Sequence, residues 1–299
     1  MFKIKAKYTQ SIAGLLMFLP YAVFLVMFAI VPIVMAGTVS ITSTSLAVPE
    51  GGFGNYLFVL NDFRFWPAVI NVGTFLAIYL PAMIIVVALM SLLLDALRAK
   101  YTVPLRLAYL VPASISGAVA ILVWYFMLEP QFSPFKDWLL ALGLDSGVKV
   151  FNQTNLVWVF ALMAFFTGAG NWIVIQYGSL QSIPDEILEA AKIDGANALQ
   201  TALRIKLPLI RKYLIYMAIL TFAAGLQIFV EPYLISSSVY PGLARDWSLN
   251  QISYSLAFTG ANMGSATALS LMLLLVCVIL ALFVIFRTDF FDEAKIKEK

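Results

Sequence analysis

Six long apolar runs constrain this chain more than any other feature. They cover approximately residues 12–35, 67–94, 107–128, 156–180, 213–235 and 266–286. Each reaches the roughly 20 residues that a helix needs to cross about 30 Å of hydrocarbon. A bilayer core offers no water to backbone amides, so such runs are predicted to be helices. Pro81, Pro112, Gly168 and Gly170 fall inside them, which membrane helices tolerate because neighbours re-satisfy the freed backbone groups. The chain is 62% hydrophobic and 12% charged, against about 45–50% and about 25% in a soluble domain. One helical bundle therefore accounts for all 299 residues.

The basic residues set the orientation. Lys3, Lys5 and Lys7 precede the first run, and Arg98, Lys100 and Arg106 follow the second. Lys192, Arg204, Lys206, Arg211 and Lys212 follow the fourth, and Arg287, Lys295, Lys297 and Lys299 follow the sixth. The remaining connections hold only Arg64, then Lys136 and Lys149, then Arg245. Both termini and the connection after the fourth run are thus expected in the cytoplasm. The expected plan is a cytoplasmic N-terminus over 1–10, a six-helix transmembrane bundle over 11–287 and a cytoplasmic tail over 288–299. The start "MFKIKAKY" also fits the basic region of a cleaved leader, but its apolar run exceeds the usual length of about 7–15 residues. The external loop 132–154 has room for a short interfacial helix.

Several chemistries lack their residues. Histidine is absent, which removes the commonest general base and metal ligand and with it zinc-protease and Ser-His-Asp readings. No Gly-x-Ser-x-Gly supports an intramembrane enzyme, and no Gly-x-x-x-x-Gly-Lys-Ser/Thr loop offers an ATP site. Cys277 is the only cysteine and forms no intrachain disulfide.

The stretch "QSIPDEILEAAKIDGANALQ" stands apart. Ser182 can cap a helix, Pro184 suits its first turn, and Asp185 and Glu186 sit at the positive end of the dipole. Asp194-Gly195 marks a stop or sharp bend. About three turns of helix are too few to be stable alone in water, so the segment must pack on something. Ala190, Ala191 and Gly195 permit close approach, and Glu189 suits a basic partner. A solvated connector, its charges serving only solubility, is the plainer alternative. Residues 197–207 can form a second short helix before Pro208 turns the chain into the fifth run.

The order of residues here resembles the "EAA" motif of ATP-binding-cassette (ABC) importer permeases: Glu189-Ala190-Ala191, three residues, Gly195, then nine residues before Ile205-x-Leu207-Pro208. "GGFGNYLFVLNDFRFWPAVINVGTF" (51–75), "YLVPASISGAVAILVWYFML" (109–128) and "YSLAFTGANMGSATALSL" (254–271) are similar to the sugar-importer branch, maltose/glycerol-phosphate type. The loop "SSSVYPGLARD" (236–246) departs from the "TGGP" run of many relatives. The resemblance implies an all-α membrane protein with type I importer architecture: six transmembrane helices and a cytoplasmic coupling helix at about 184–196. It implies that this helix docks on a separate ATPase, through Glu189, Ala190, Ala191, Asp194 and Gly195. ATP and Mg would then sit on partner ATPase subunits, with no cofactor on this chain. Two such ATPases, a second homologous permease and an extracytoplasmic solute-binding protein are the implied partners. The implied place is a prokaryotic cytoplasmic (inner) membrane.

Polar residues inside spans normally face the bundle interior or a wet cavity. The fourth run offers Thr167, Asn171 and Gln176, and the fifth Thr221, Gln227 and Glu231, with Trp124, Trp172 and Tyr233 nearby in sequence. The resemblance points to the same two spans, so Thr167, Gly168, Asn171, Thr221, Gln227 and Glu231 are the expected solute pathway. Close helix packing would also use Thr167, Gly168 and Gly170, and Trp66, Trp158 and Tyr101 suit interfacial belts. Glu231 is expected near the external end, where plain hydration is the alternative, and Asp95, at the cytoplasmic end of the second run, need not carry protons. The expected function is one permease half of an ATP-driven importer for a sugar-like solute. The alternative is an ion-coupled secondary transporter, which would favour a deep ionisable residue that the middles of the runs lack.

Overall fold

A computed structural model describes residues 2–115, 117–239 and 244–287, with side chains from residue 14 onward except at 99 and 238. The expected cytoplasmic tail, 288–299, lies outside the described residues. Helix dominates and no strand occurs among the described residues. Five helices are long and apolar enough to cross a membrane: Gly14–Thr42, Phe65–Ala96, Leu156–Gln181, Arg211–Ser237 and Met263–Arg287. The count becomes six if a bent pair, Lys100–Ser114 with Gly117–Leu128, is one span.

That pair departs from the straight helix expected over 107–128. Its halves meet at 100°. Gly117 has φ +63°, a left-handed conformation that breaks the helical path and that only glycine adopts at little cost. The first span also runs on beyond residue 35, as far as Thr42, through a π-helical turn at Val26–Ile30.

The chain divides into two compact units. One comprises Met1–Asp62 with Ser253–Leu274. Its organising residue is Asn55, fully buried in the short helix Gly54–Asn61. The Asn55 amide donates to the carbonyls of Ser40 and Ser43, both at 3.0 Å, and its oxygen accepts from the Ser265 hydroxyl at 3.1 Å. A Cβ on Gly264 would lie 2.6 Å from the Asn55 amide nitrogen, so the stretch "NMGSA" can close on "GGFGNY" only with glycine there.

The other unit comprises Phe63–Ile252 with Leu275–Lys299. The helices Phe65–Ala96, Leu156–Gln181 and Arg211–Leu226 pack around Phe75, Met83, Val87, Phe160, Met163 and Met217, all buried. Lipid tails are as apolar as these side chains, so close backbone approach decides which faces meet. A Cβ on Gly170 would fall 1.9 Å from the Tyr109 carbonyl oxygen, and one on Gly225 would fall 2.6 Å from the Leu76 side chain. The two glycines thus set how near the fourth span comes to the bent pair and the fifth to the second. Trp66, Trp158 and Tyr101 are exposed, as aromatic residues facing lipid headgroups would be.

The fifth span is itself broken. Its helix stops at Leu226, Gln227 takes a non-helical ψ of 16°, and helix resumes at Val230–Leu234. Irregular backbone at membrane depth is tolerated where protein buries it or where it lines a wet cavity. The loop over 132–154 carries two short helices, Lys136–Ala141 and Gly147–Val150.

Candidate functional site: a polar hollow and a water-facing connector

The connector begins with the helix Asp185–Ile193. Pro184 occupies the capping position, whereas Ser182 does not cap: its hydroxyl turns back to the Ser179 carbonyl at 2.7 Å. The ring of Pro184 fixes φ near −65° and removes a donor that the first turn could not satisfy. Asp185 and Glu186 lie in the first turn and Lys192 in the last, each favourable to the macrodipole. At the far end Gly195 has φ +78°, and the amide of Ala196 reaches the Ala191 carbonyl at 2.9 Å. This is the left-handed glycine cap that satisfies orphan carbonyls.

Asn197 and Gln200 then form a reciprocal capping box at 2.9 Å in each direction. The next helical stretch includes a π-helical turn, Thr201–Lys206. Glu189, Ala190, Asp194 and Gly195 are exposed, while Ala191 is buried. Two large apolar side chains also stand bare beside them: Ile193 is 86% exposed and Leu199 68%.

Sequence reasoning missed how this connector is held. Lys206 forms an ion pair with Asp95, and the Gln181 amide donates to the same carboxylate at 2.6 Å. Asp95, at the end of the second helix, thus joins the end of the fourth to the segment that follows the motif. The three positions are far apart in sequence, so no local pattern could have paired them.

The second part of the site lies at the break in the fifth span. A cavity of about 280 Å³ is lined by Thr167, Gly168, Gln227 and Glu231, with Phe75 and Tyr79 from the second helix. Phe75 and Tyr79 stack at 5.2 Å between ring centroids. A Cβ on Gly168 would approach the Tyr79 hydroxyl to 3.3 Å, so glycine keeps that corner open. The Thr167 hydroxyl donates to the Met163 carbonyl at 2.9 Å, leaving its lone pairs free to accept. Glu231 and Thr167 also line a neighbouring hollow of about 150 Å³ beside Trp124.

Asn171 is exposed and Thr221 buried, and both lie outside these linings. Trp172 packs edge-on against Tyr216, and Tyr233 stacks on Phe229. Gln176 is fully buried and donates to the Tyr213 carbonyl at 3.0 Å, a packing role. A larger hollow of about 670 Å³ lies among Pro112, Trp124, Phe135 and Trp138. Its lining is apolar apart from Thr167, so it has little to offer a solute rich in hydroxyls.

The break is pinned by Ala244–Asn250. Trp247 is fully buried, edge-on to Phe160 at 4.7 Å and to Phe75 at 6.3 Å. The Asn71 amide donates to the Trp247 carbonyl at 3.3 Å, and the Asn250 amide to the Gln227 carbonyl at 2.8 Å. Arg64 pairs with Asp246 at 3.5 Å. Part of the divergent loop, residues 240–243, lies outside the described residues.

A multi-span helical protein with a polar hollow at a broken span and a short helix held outside the spans has the parts of a transport subunit. Among the described residues no cluster of His, Cys, Asp or Glu is placed to hold a metal. The model of one family, the binding-protein-dependent transport system inner membrane component, matches residues 102–288. The chain belongs to that family and is a permease subunit of a binding-protein-dependent ABC importer.

Several relatives match over nearly the whole chain. A probable ABC transporter permease protein of Bacillus subtilis, YurN, is 27% identical over 292 residues, covering 96% of this chain and 98% of the relative. The trehalose/maltose transport system permease protein MalF of Thermococcus litoralis is 27% identical, covering 87% of each. Among solved structures, a bacterial ABC transporter involved in the import of the acidic polysaccharide alginate contains a chain of the same fold. It superposes with a TM-score of 0.77 at 19% identity, covering 96% of this chain and 98% of that one.

Proposed function

We propose that this chain is one half of the translocation pathway of a carbohydrate importer, working by alternating access. In this reading six spans cross the cytoplasmic membrane, the bent pair being the third, with both termini in the cytoplasm. Two ATPase subunits carry the ATP and Mg, and a second homologous permease completes the pathway. A solute-binding protein delivers the sugar from outside. The helix Asp185–Ile193 is the coupling helix, with Glu189, Ala190, Ala191, Asp194 and Gly195 in its docking surface. Thr167, Gly168, Gln227 and Glu231 face the solute, with Asn171 and Thr221 flanking them on the same two spans.

One observation carries the coupling role. Ile193 and Leu199 are left bare beside Glu189 in a highly charged connector outside the spans. Exposed large apolar groups rimmed by charge mark a surface that another protein covers, and small residues at 190 and 195 let that partner come close. The sugar assignment is supported by full-length relatives that serve sugar transport and by the hollow itself. It pairs amide, hydroxyl and carboxyl groups with the faces of Phe75 and Tyr79.

The test is uptake by the assembled transporter. Glu189→Lys and Ile193→Asp are expected to leave the chain inserted but to lose co-purification with the ATPase, and uptake with it. Normal uptake by both variants would remove the coupling role. Gln227→Ala is expected to raise the KM for solute more than Asn171→Ala does, with assembly intact in each.

A further inference from the structure

Glu231 and Thr167 line both polar hollows, so these two side chains stand in the wall the cavities share. Among the described residues neither lining contains Lys or Arg. Glu231 supplies the only carboxyl group there, half-buried at the point where the broken span resumes. Around it are two hydroxyls (Thr167 and Tyr79), one amide (Gln227) and the rings of Phe75, Tyr79 and Phe229.

A carboxyl group accepts hydrogen bonds from sugar hydroxyls, and from a protonated amine with extra strength because the bond is charge-assisted. It gives an anionic solute no counter-charge. Like charges brought together repel, at a cost to binding. No cation in either lining offsets that cost.

We propose that Glu231 is a charge filter in this pathway, passing neutral and amino-substituted sugars and turning back sugars that carry carboxylate or sulfonate groups. The filter rests on reading the cavity as a carbohydrate path.

The assembled permease–ATPase complex in nanodiscs, without the binding protein, removes that protein's selectivity, and the Glu231 variants assign to this chain its share of what remains. Saturation-transfer NMR is recorded with three probes: maltose, digalacturonate, and the glucosamine disaccharide at a pH where its amines are protonated. The wild-type complex should take maltose and the amino sugar, with digalacturonate weaker by about tenfold or more. Glu231→Gln, nearly isosteric, should keep maltose and lower the amino sugar to the level of maltose. Glu231→Lys should invert the order and bring digalacturonate above the amino sugar. Equal binding of digalacturonate and maltose by the wild type would overturn the filter while leaving the carbohydrate path standing. So would an order that both variants leave unchanged. Should none of the three sugars bind a complex with intact ATPase activity, the carbohydrate reading itself fails and takes the filter with it.

Discussion

At the scale of single residues, glycine decides where this protein closes. Gly170 and Gly178 lie on the same helix and differ completely in surroundings. A Cβ at 170 would meet the Tyr109 carbonyl at 1.9 Å, whereas one at 178 would meet nothing within 4 Å. Gly170→Val should therefore push two backbones apart and destabilise the fold by about 1–3 kcal/mol or more. Gly178→Ala should be neutral or stabilising by up to about 1 kcal/mol through helix propensity. Thermal unfolding of the purified protein in detergent would order the two variants. The sequence marked Gly170 as a residue suited to close helix packing, as the structure has it, but it did not name the Tyr109 backbone as the partner. Motif resemblance singled out Glu189 and Gly195, but nothing local told Phe75 and Tyr79 from the other apolar residues around them. A helix that is apolar all round carries no amphipathic stripe to say which face turns inward.

At the scale of elements, the connector is read best from the sequence and the bent pair worst. Acidic residues in the first turn, lysine in the last and Gly195 beyond it are local signals, and the helix Asp185–Ile193 lies where they put it. Pro184 replaces Ser182 at the cap because the serine hydroxyl finds a carbonyl in the preceding helix first. The bend between Ser114 and Gly117 depends on a positive φ that a run of apolar letters does not announce.

Between elements, the Asp95–Lys206 pair offers a mechanical link from the connector to the second span. Asp95 is nearly buried and Lys206 about one-fifth exposed, so losing one partner strands a poorly solvated charge. Asp95→Ala should cost about 1–3 kcal/mol, and Asp95→Asn less, since an amide oxygen still accepts from Gln181. A double-mutant cycle with Lys206→Met should return a coupling of at least about 0.5 kcal/mol. If the pair transmits movement as well as stability, the same cycle measured on transport per ATP hydrolysed will show coupling too.

At the scale of the molecule, two units divide the chain, and the polar hollow lies wholly within the one built from Phe63–Ile252 and Leu275–Lys299. There Trp247 is a wedge from beyond the fifth span, locked against rings of the second and fourth helices. Trp247→Ala should cost about 3–5 kcal/mol. It should also weaken solute affinity, because Phe75 both contacts Trp247 and lines the hollow. Trp247→Phe should recover most of the stability, and solute titration of the two variants would separate lost affinity from lost folding.

The sequence by itself determined that the chain is a membrane protein, roughly where its long apolar helices begin and end, and that a short charged helix lies between two of them. These follow from length, apolarity and end signals, all of them local. Only the tertiary structure decided that the third segment bends and that the fifth breaks at Gln227. It also decided that Tyr79 and Glu231 share a cavity, and that Asp95 meets Lys206. Those outcomes depend on which faces of apolar helices meet. Where solvent and neighbour are equally greasy, close packing at a few glycines and a few buried polar contacts make that choice.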